Sequence, residues 1–302
     1  MVSGSAPTVP AKGSEQGEGA MTGLTGKTVF VSGASRGIGK AIALRLAREG
    51  ANLALVAKTA EPHPTLPGTV YTAAEEVEAA GGKALALVCD IRDEDAVFAA
   101  ADRTAATFGG IDILINNASA ISLTDTAETP AKRLDLMFGV NARGTYVCTR
   151  ACLAHLEKAA NPHILVNAPP LPVEARWVAG HGAYSVAKYG MSLLALGWAE
   201  EFRDKGIAVN CFWPRSFIAT SAMRMIPGGV DLAYAREPAI MADAACAILA
   251  RDAKICTGNF FLDEEVLRAD GVTDFEMYAV EPGKGIRPDL FLPEGRFEAS
   301  GG

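Results

Sequence analysis

The stretch "TVFVSGASRGIGKAIALRLAREG", residues 28–50, decides the fold. Its first residues are β-branched or aromatic and read as a buried strand, its glycines mark a tight turn, and "GKAIALRLAREG" carries the pattern of an amphipathic helix. Strand, turn and helix in that order form the first half of a βαβ unit. The same rhythm runs to the end of the chain. Strand-like "NLALVA", "KALALVC", "IDILINNAS", "HILVNA", "IAVNCFW" and "GNFFLD" alternate with helical "VYTAAEEVEAAG", "DEDAVFAAADRTAATFG" and patterns at about 131–158, 184–204 and 239–251. The expectation is an α/β doubly wound parallel sheet of about seven strands with helices on both faces, a single domain over 24–302. Residues 1–23 are small, polar and rich in glycine and proline, and predict a disordered tail.

Composition narrows the function classes. A chain of 302 residues with 49% apolar and 21% charged residues suits a globular enzyme or binding protein. The net charge of −7 provides no broad basic field, so nucleic acid is not an expected partner. The six cysteines lie mostly in apolar runs without CxxC spacing, which predicts reduced core thiols. Cys148 and Cys152 share a helix face, but two ligands make a poor zinc site, and no metal is expected. No run reaches the roughly 18 apolar residues of a membrane helix. The first segment lacks a signal peptide's apolar core and a transit peptide's arginines, so the expected location is cytoplasmic.

The turn "SGASRGIG" brings the first chemistry. Gly33, Gly37 and Gly39, with Ala34, Ser35, Arg36 and Ile38 between them, let the backbone approach a pyrophosphate whose charge rests on the N-terminus of the next helix. The spacing differs from the common G-x-G-x-x-G pattern, and a merely flexible turn is the plain alternative. A site for NAD places an acid near the end of the second strand, where this chain has Lys58 and no acid before Glu61. With Arg36 nearby, the pair predicts charge-assisted binding of a 2′-phosphate, hence NADP(H). Two solvated surface cations are the other reading. Asp90, at the end of "LALVCD", either accepts from an adenine amino group or caps a helix.

Tyr184 and Lys188 in "AYSVAKYG" are four apart, so on a helix they share a face, where the ammonium can lower the phenol pKa from about 10 towards neutrality. Such a phenol can exchange a proton with an alcohol or carbonyl oxygen. The pattern is common by chance. It gains weight beside a dinucleotide turn, "NNAS" at 116–119 and Asn141 within a helical pattern.

Taken together, "GASRGIGKAIAL", "AKTAEPHP", "NNASAISL", "TPAKRLDLM", "AYSVAKYGMS" and "TGNFFLDE" make the chain resemble the classical short-chain dehydrogenases/reductases of Rossmann fold, and within them the hydroxysteroid dehydrogenase-like branch, from about Leu24 to about Phe291. The resemblance implies NADP(H), a Tyr184–Lys188 acid/base pair, and Asn141 holding a water that relays protons to Lys188. It also implies ribose binding by Lys188, contact of Asn117 and Asp90 with the adenosine half, and a homo-oligomer, dimeric or tetrameric. Eukaryotic members of the branch carry a sterol-carrier-like domain after the reductase domain. With the sequence ending at Gly302, the expectation is a protein without that module. The relatives also read Ser-Pro-Pro where this chain has Ala168-Pro169-Pro170, so a substrate-orienting hydroxyl is expected to be missing at the cleft, with Ser119, Ser122 or a water as substitutes.

Ligands of such sheets bind beyond the carboxyl ends of the strands. The loops there supply Leu123, Leu171, Trp177, Phe217, Met223 and Met225, which suit an apolar carbonyl or alcohol or are simply core. His181 reads as structural rather than substrate-binding. Two function classes follow: an NADP(H)-dependent oxidoreductase with Tyr184 as acid/base, or an NADP(H)-binding protein with little turnover because of Ala168.

Overall fold

The computed structural model describes residues 23–64, 66–171, 173–225 and 229–293; the side chains of Arg224 and Met225 are not described. The tail expected over 1–23 lies, apart from Gly23, outside the described residues. Strands β1 (Thr28–Ser32), β2 (Asn52–Ala57), β3 (Lys83–Val88), β4 (Ile113–Asn116), β5 (His163–Asn167), β6 (Ala208–Trp213) and β7 (Phe260–Leu262) form one sheet. Every pairing is parallel, in the order β3-β2-β1-β4-β5-β6-β7.

Alternation along β1 shows why both faces are covered. Val29 and Val31 point into a core with Ile42 and Leu46 of α1 (Gly37–Arg48) and Ile240 and Met241 of α8 (Ala239–Leu249). Phe30, between them, points into the opposite core with Val97 of α3 (Glu94–Phe108), Cys148 and Cys152 of α5 (Gly144–Leu156) and Met191 of α7 (Gly182–Glu201). A strand buried on both sides needs a continuous apolar run, which is what "TVFVS" supplies. Phe30 is completely buried, and Phe30→Ala would cost about 3 to 5 kcal/mol. All six cysteines are buried free thiols, as their apolar settings predict.

Local signals place the helix ends. Asp93 caps α3 by accepting from Ala96 N at 3.1 Å, and Gly109 ends it in the left-handed region at φ 90°. Thr69 and Thr72 make a reciprocal cap at the start of α2 (Val70–Ala79). The helix expected over about 131–158 is instead α4 (Ala131–Phe138), a π-helical turn (Gly139–Arg143) and then α5. The interruption coincides with two tertiary constraints. Asn141 is clamped to the backbone of Ala120, and Gly144 packs so closely on Ile91 that a Cβ would run into that side chain. Short helices α6 (Ala175–Val178) and α9 (Asp263–Ala269) were not expected from the sequence.

β1 lies between β2 and β4, so the chain reverses its direction of travel across the sheet at this point. A crevice opens there, at the carboxyl ends of β1 and β4. Among the described residues, no helix is long and apolar enough to cross a membrane.

Candidate active site

The glycine turn follows β1 directly. Gly33 has φ +70°, and a Cβ on it would sit 2.7 Å from the Ala118 Cα. A Cβ on Gly39 would collide with the Gly33 carbonyl oxygen and with Asn117 Nδ2. Asn117 braces the turn, its Nδ2 donating to the Ser32 and Gly33 carbonyls, both at 3.2 Å. α1 starts at Gly37 with no side-chain cap and no acid in its first turn, which leaves its amides and the positive end of its dipole available to an anion.

A cleft of about 560 Å³ runs from this turn to the far ends of β5 and β6. Gly33, Ser35, Arg36, Gly37, Ile38, Lys58, Asp90, Asn117, Tyr184 and Lys188 all line it. Three other expected residues do not: Ala34, Gly39 and Asn141 are buried behind the wall. Arg36 donates from Nη2 to the Gly68 carbonyl at 2.8 Å, while its buried Nε has no partner among the described residues. Burial lowers the guanidinium pKa from its ordinary value, without taking it out of its charged form. Lys58 is exposed immediately after β2. Asp90 is gripped by Arg92 through Nε at 3.0 Å and Nη2 at 2.5 Å, and that hydrogen bonding holds its carboxyl below the usual range.

At the other end, Tyr184 and Lys188 share one face of α7 as their spacing predicts, and both are buried. Lys188 Nζ donates to the Asn167 carbonyl at 2.7 Å and lies 5.0 Å from the centre of the Trp213 ring. Burial pushes this ammonium down to about 7. The expected lowering of the phenol pKa by Lys188 is not found. Burial raises the pKa of Tyr184 well above its ordinary value, the charge of Asp289 raises it further, and a hydrogen bond with Ser119 opposes both. The physical reason is that the Lys188 ammonium is turned to the Asn167 carbonyl, while the phenol faces an acid.

Asn141 is fully buried, its Oδ1 accepting from Ala120 N at 2.7 Å and its Nδ2 donating to Ala120 O at 3.0 Å. Ala168 departs from expectation. It is completely buried in the core that holds Phe30, Val166 and Met191, and the residue that lines the cleft at the end of β5 is Asn167. Side chains along a strand alternate, so a shift of one position exchanges cleft for core. Of the two substitute serines, Ser119 is bonded to Tyr184, and Ser122 shares a 3.3 Å hydrogen bond with Thr124.

Leu123, Phe217 and Met223 line the cleft as expected. Leu171 and Trp177 instead pack on the cluster around Tyr184, Trp213 and Phe291, and the Met225 side chain lies outside what is described. His181 is structural: it meets the Phe291 ring edge-on, and burial lowers its pKa. Sequence reasoning missed Arg92, Asn167, Trp213 and Asp289. Asn167 and Trp213 end β5 and β6, so the strand-end rule marks both positions. Arg92 and Asp289 carried no such signal.

The model for the short chain dehydrogenase family matches residues 27–227. Over 272 residues the chain is 56% identical to Hydroxysteroid dehydrogenase-like protein 2 of Xenopus tropicalis, covering 90% of this chain and 64% of that one. The Homo sapiens protein of the same name is 54% identical over 271 residues, with the same coverage. The chain thus spans about 64% of the length of these curated relatives. A crystal structure of a short chain dehydrogenase from Mycobacterium thermoresistibile is 52% identical, with a TM-score of 0.84 over 90% of this chain and 98% of that one. Sequence and overall fold agree, and the chain belongs to the short chain dehydrogenase family.

Proposed function

We propose that the chain is an NADP(H)-dependent oxidoreductase acting on an apolar carbonyl or alcohol, with Tyr184 as its acid/base. The observation that carries this reading is that one cleft holds both the glycine turn and the Tyr184–Lys188 pair. The residues fit a dinucleotide. Gly33 and Gly39 let the turn pack tightly against Ala118 and Asn117, α1 presents free amides, and Arg36 Nε and Asn167 Oδ1 are buried without partners among the described residues. Arg36 in the glycine turn and Lys58 after β2 favour a 2′-phosphate, and Asp90, the acid after β3 on the same cleft wall, is already paired with Arg92.

When bound, a nicotinamide supplies or accepts the hydride. In the carbonyl-reducing direction Tyr184 protonates the substrate oxygen, and in the oxidising direction it removes that proton. Lys188, held by the Asn167 carbonyl on the cleft wall, is the residue that would bind the ribose. The Asn141 side chain is clamped to the Ala120 backbone, so a water relaying protons to Lys188 would be held by Asn141 from behind the cleft wall. Leu123, Leu136, Phe217, Met223 and Leu290 give the far end of the cleft its apolar character.

A second reading, NADP(H) binding with little turnover, is favoured by the Lys188 ammonium being bonded to the Asn167 carbonyl while burial raises the Tyr184 phenol. A panel of apolar aldehydes and alcohols, followed by nicotinamide absorbance with the purified protein, separates the two. Oxidation of NADPH by at least one aldehyde supports the enzyme; tight NADPH binding with no turnover on any member supports the second.

A further inference from the structure

Among the described residues two acids line the cleft, and Asp90 is already paired with Arg92. The other is Asp289, brought there by the chain beyond α9. That segment runs along the carboxyl end of β6, with Phe217 N donating to Arg287 O at 3.0 Å and Asp289 N to Arg215 O at 3.1 Å. The indole of Trp213 donates to Leu290 O at 2.8 Å, and the Phe291 ring stacks on Tyr184 with centres 6.0 Å apart. The residues one and two places after Asp289 are therefore the ones that hold Trp213 and Tyr184. Phe291 is buried with a backbone φ of +67°, a conformation that a bulky residue keeps only where its surroundings impose it. Asp289 thus sits on a fixed backbone beside the Tyr184–Lys188 pair.

Its two carboxyl oxygens differ. One accepts from Leu290 N at 2.6 Å. The other is open to the cleft, with no partner among the described residues and no cation in ion-pair range. The nearby ammonium, Lys188, is engaged by the Asn167 carbonyl and the Trp213 ring. The backbone bond fixes the carboxyl group, so its second oxygen is an acceptor held in place before any substrate arrives. The rest of the wall there is apolar, with Leu123, Leu136, Met223 and Leu290. A cleft with an apolar wall and one fixed acceptor beside the acid/base pair suits a substrate with an apolar chain and one hydrogen-bond donor near the reacting carbon.

Resting on the oxidoreductase reading above, we propose that Asp289 determines substrate specificity: its open oxygen accepts from a hydroxyl on the carbon next to the reacting one, which selects apolar-chain α-hydroxy ketones and vicinal diols. A carbonyl oxygen gains negative charge as the hydride arrives, and a bare carboxylate beside it opposes that charge. A substrate hydroxyl donating to Asp289 offsets the opposition and fixes the chain. A plain ketone leaves the carboxylate uncompensated, and a keto acid brings a second negative charge against it. The selecting hydroxyl keeps its proton, and Tyr184 still supplies the one that ends on the alcohol.

Two arms test this at pH 9, above the value of about 8 to which burial pushes the Asp289 carboxyl, so that the carboxylate is the species read. In NADPH-dependent reduction, wild-type kcat/KM should be about 10- to 100-fold higher for 1-hydroxyoctan-2-one than for octan-2-one, with 2-oxooctanoate the poorest of the three. In Asp289→Leu the ratio of hydroxy ketone to ketone should fall to near one. Asp289→Asn keeps the size and the bond to Leu290 N but not the charge, so it should narrow that ratio and raise 2-oxooctanoate relative to octan-2-one; it decides the matter if Asp289→Leu does not fold. A wild-type ratio near one, or the wild-type order of all three substrates retained in Asp289→Asn, overturns the proposal. The second arm needs no turnover: the protein is titrated with octane-1,2-diol and with octan-1-ol, followed by tryptophan fluorescence, Trp213 being on the cleft wall. The diol should bind about 10-fold more tightly or better in the wild type and no more tightly than octan-1-ol in Asp289→Leu. Equal wild-type affinities, or binding of neither, overturn the proposal. A wild type that reduces none of the three ketones and no aldehyde of the panel counts against the oxidoreductase reading instead, and the titration still decides the role of Asp289.

Discussion

Replacing Gly39 by alanine tests whether the glycine turn is held by close packing rather than by flexibility. In an open helix, alanine is favoured over glycine by about 0.8 to 1 kcal/mol. Gly39 lies within α1, but its new Cβ would strike a backbone oxygen, Gly33 O, as well as Asn117 Nδ2. Overpacking of that kind costs about 1 to 3 kcal/mol. Displacing Asn117 also removes its two bonds to Ser32 O and Gly33 O, worth about 0.5 to 1.5 kcal/mol each. The clash wins, and Gly39→Ala should destabilise the fold by about 1 to 5 kcal/mol and weaken NADPH binding. Gly197, within α7, serves as the control, because a Cβ added there would meet nothing within 4 Å. Gly197→Ala should stabilise by up to about 1 kcal/mol with NADPH affinity unchanged. Urea unfolding followed by tryptophan fluorescence, with NADPH titration alongside, gives both quantities. A Gly39→Ala protein as stable as Gly197→Ala would refute the packing account of the turn.

Lys58→Ala should weaken NADPH binding by about 10- to 100-fold, towards the lower value because the side chain is exposed, while sparing NADH. Titration of both cofactors checks this, and equal losses would remove the 2′-phosphate assignment. Ala168→Ser should bury a hydroxyl in the core, costing about 1 to 3 kcal/mol of stability and leaving kcat/KM within a few-fold. A gain of about 10² or more in kcat/KM would instead show that position 168 reaches the substrate oxygen.

The parts of the molecule legible in the sequence are those set by short-range periodicity. Period-two alternation and complete burial in β1, helical spacing in α1 and α3, and the four-residue step from Tyr184 to Lys188 all act within one element. What stayed hidden depends on contacts between distant segments. The π-helical turn is set by Asn141 meeting Ala120, and the acid facing Tyr184 comes from the segment anchored by Phe291. Ala168 failed for a smaller reason: at a strand's end one residue separates cleft from core, and the turn into Pro169 and Pro170 offers no period to read. The charge on the Tyr184 phenol was misjudged because spacing shows that Lys188 is near, not that its ammonium is bonded elsewhere.

The central claim, that Tyr184 moves the proton in a dinucleotide-dependent reaction, is tested most directly by the NADPH-dependent aldehyde reductase activity of Tyr184→Phe measured beside its NADPH affinity. Tyr184 lines the cleft and is buried, so losing one hydroxyl should leave the packing on Phe291 and the cofactor affinity near normal. Loss of a positioned acid/base should lower kcat by about 10² to 10⁴. Turnover of Tyr184→Phe at the wild-type rate would contradict the account.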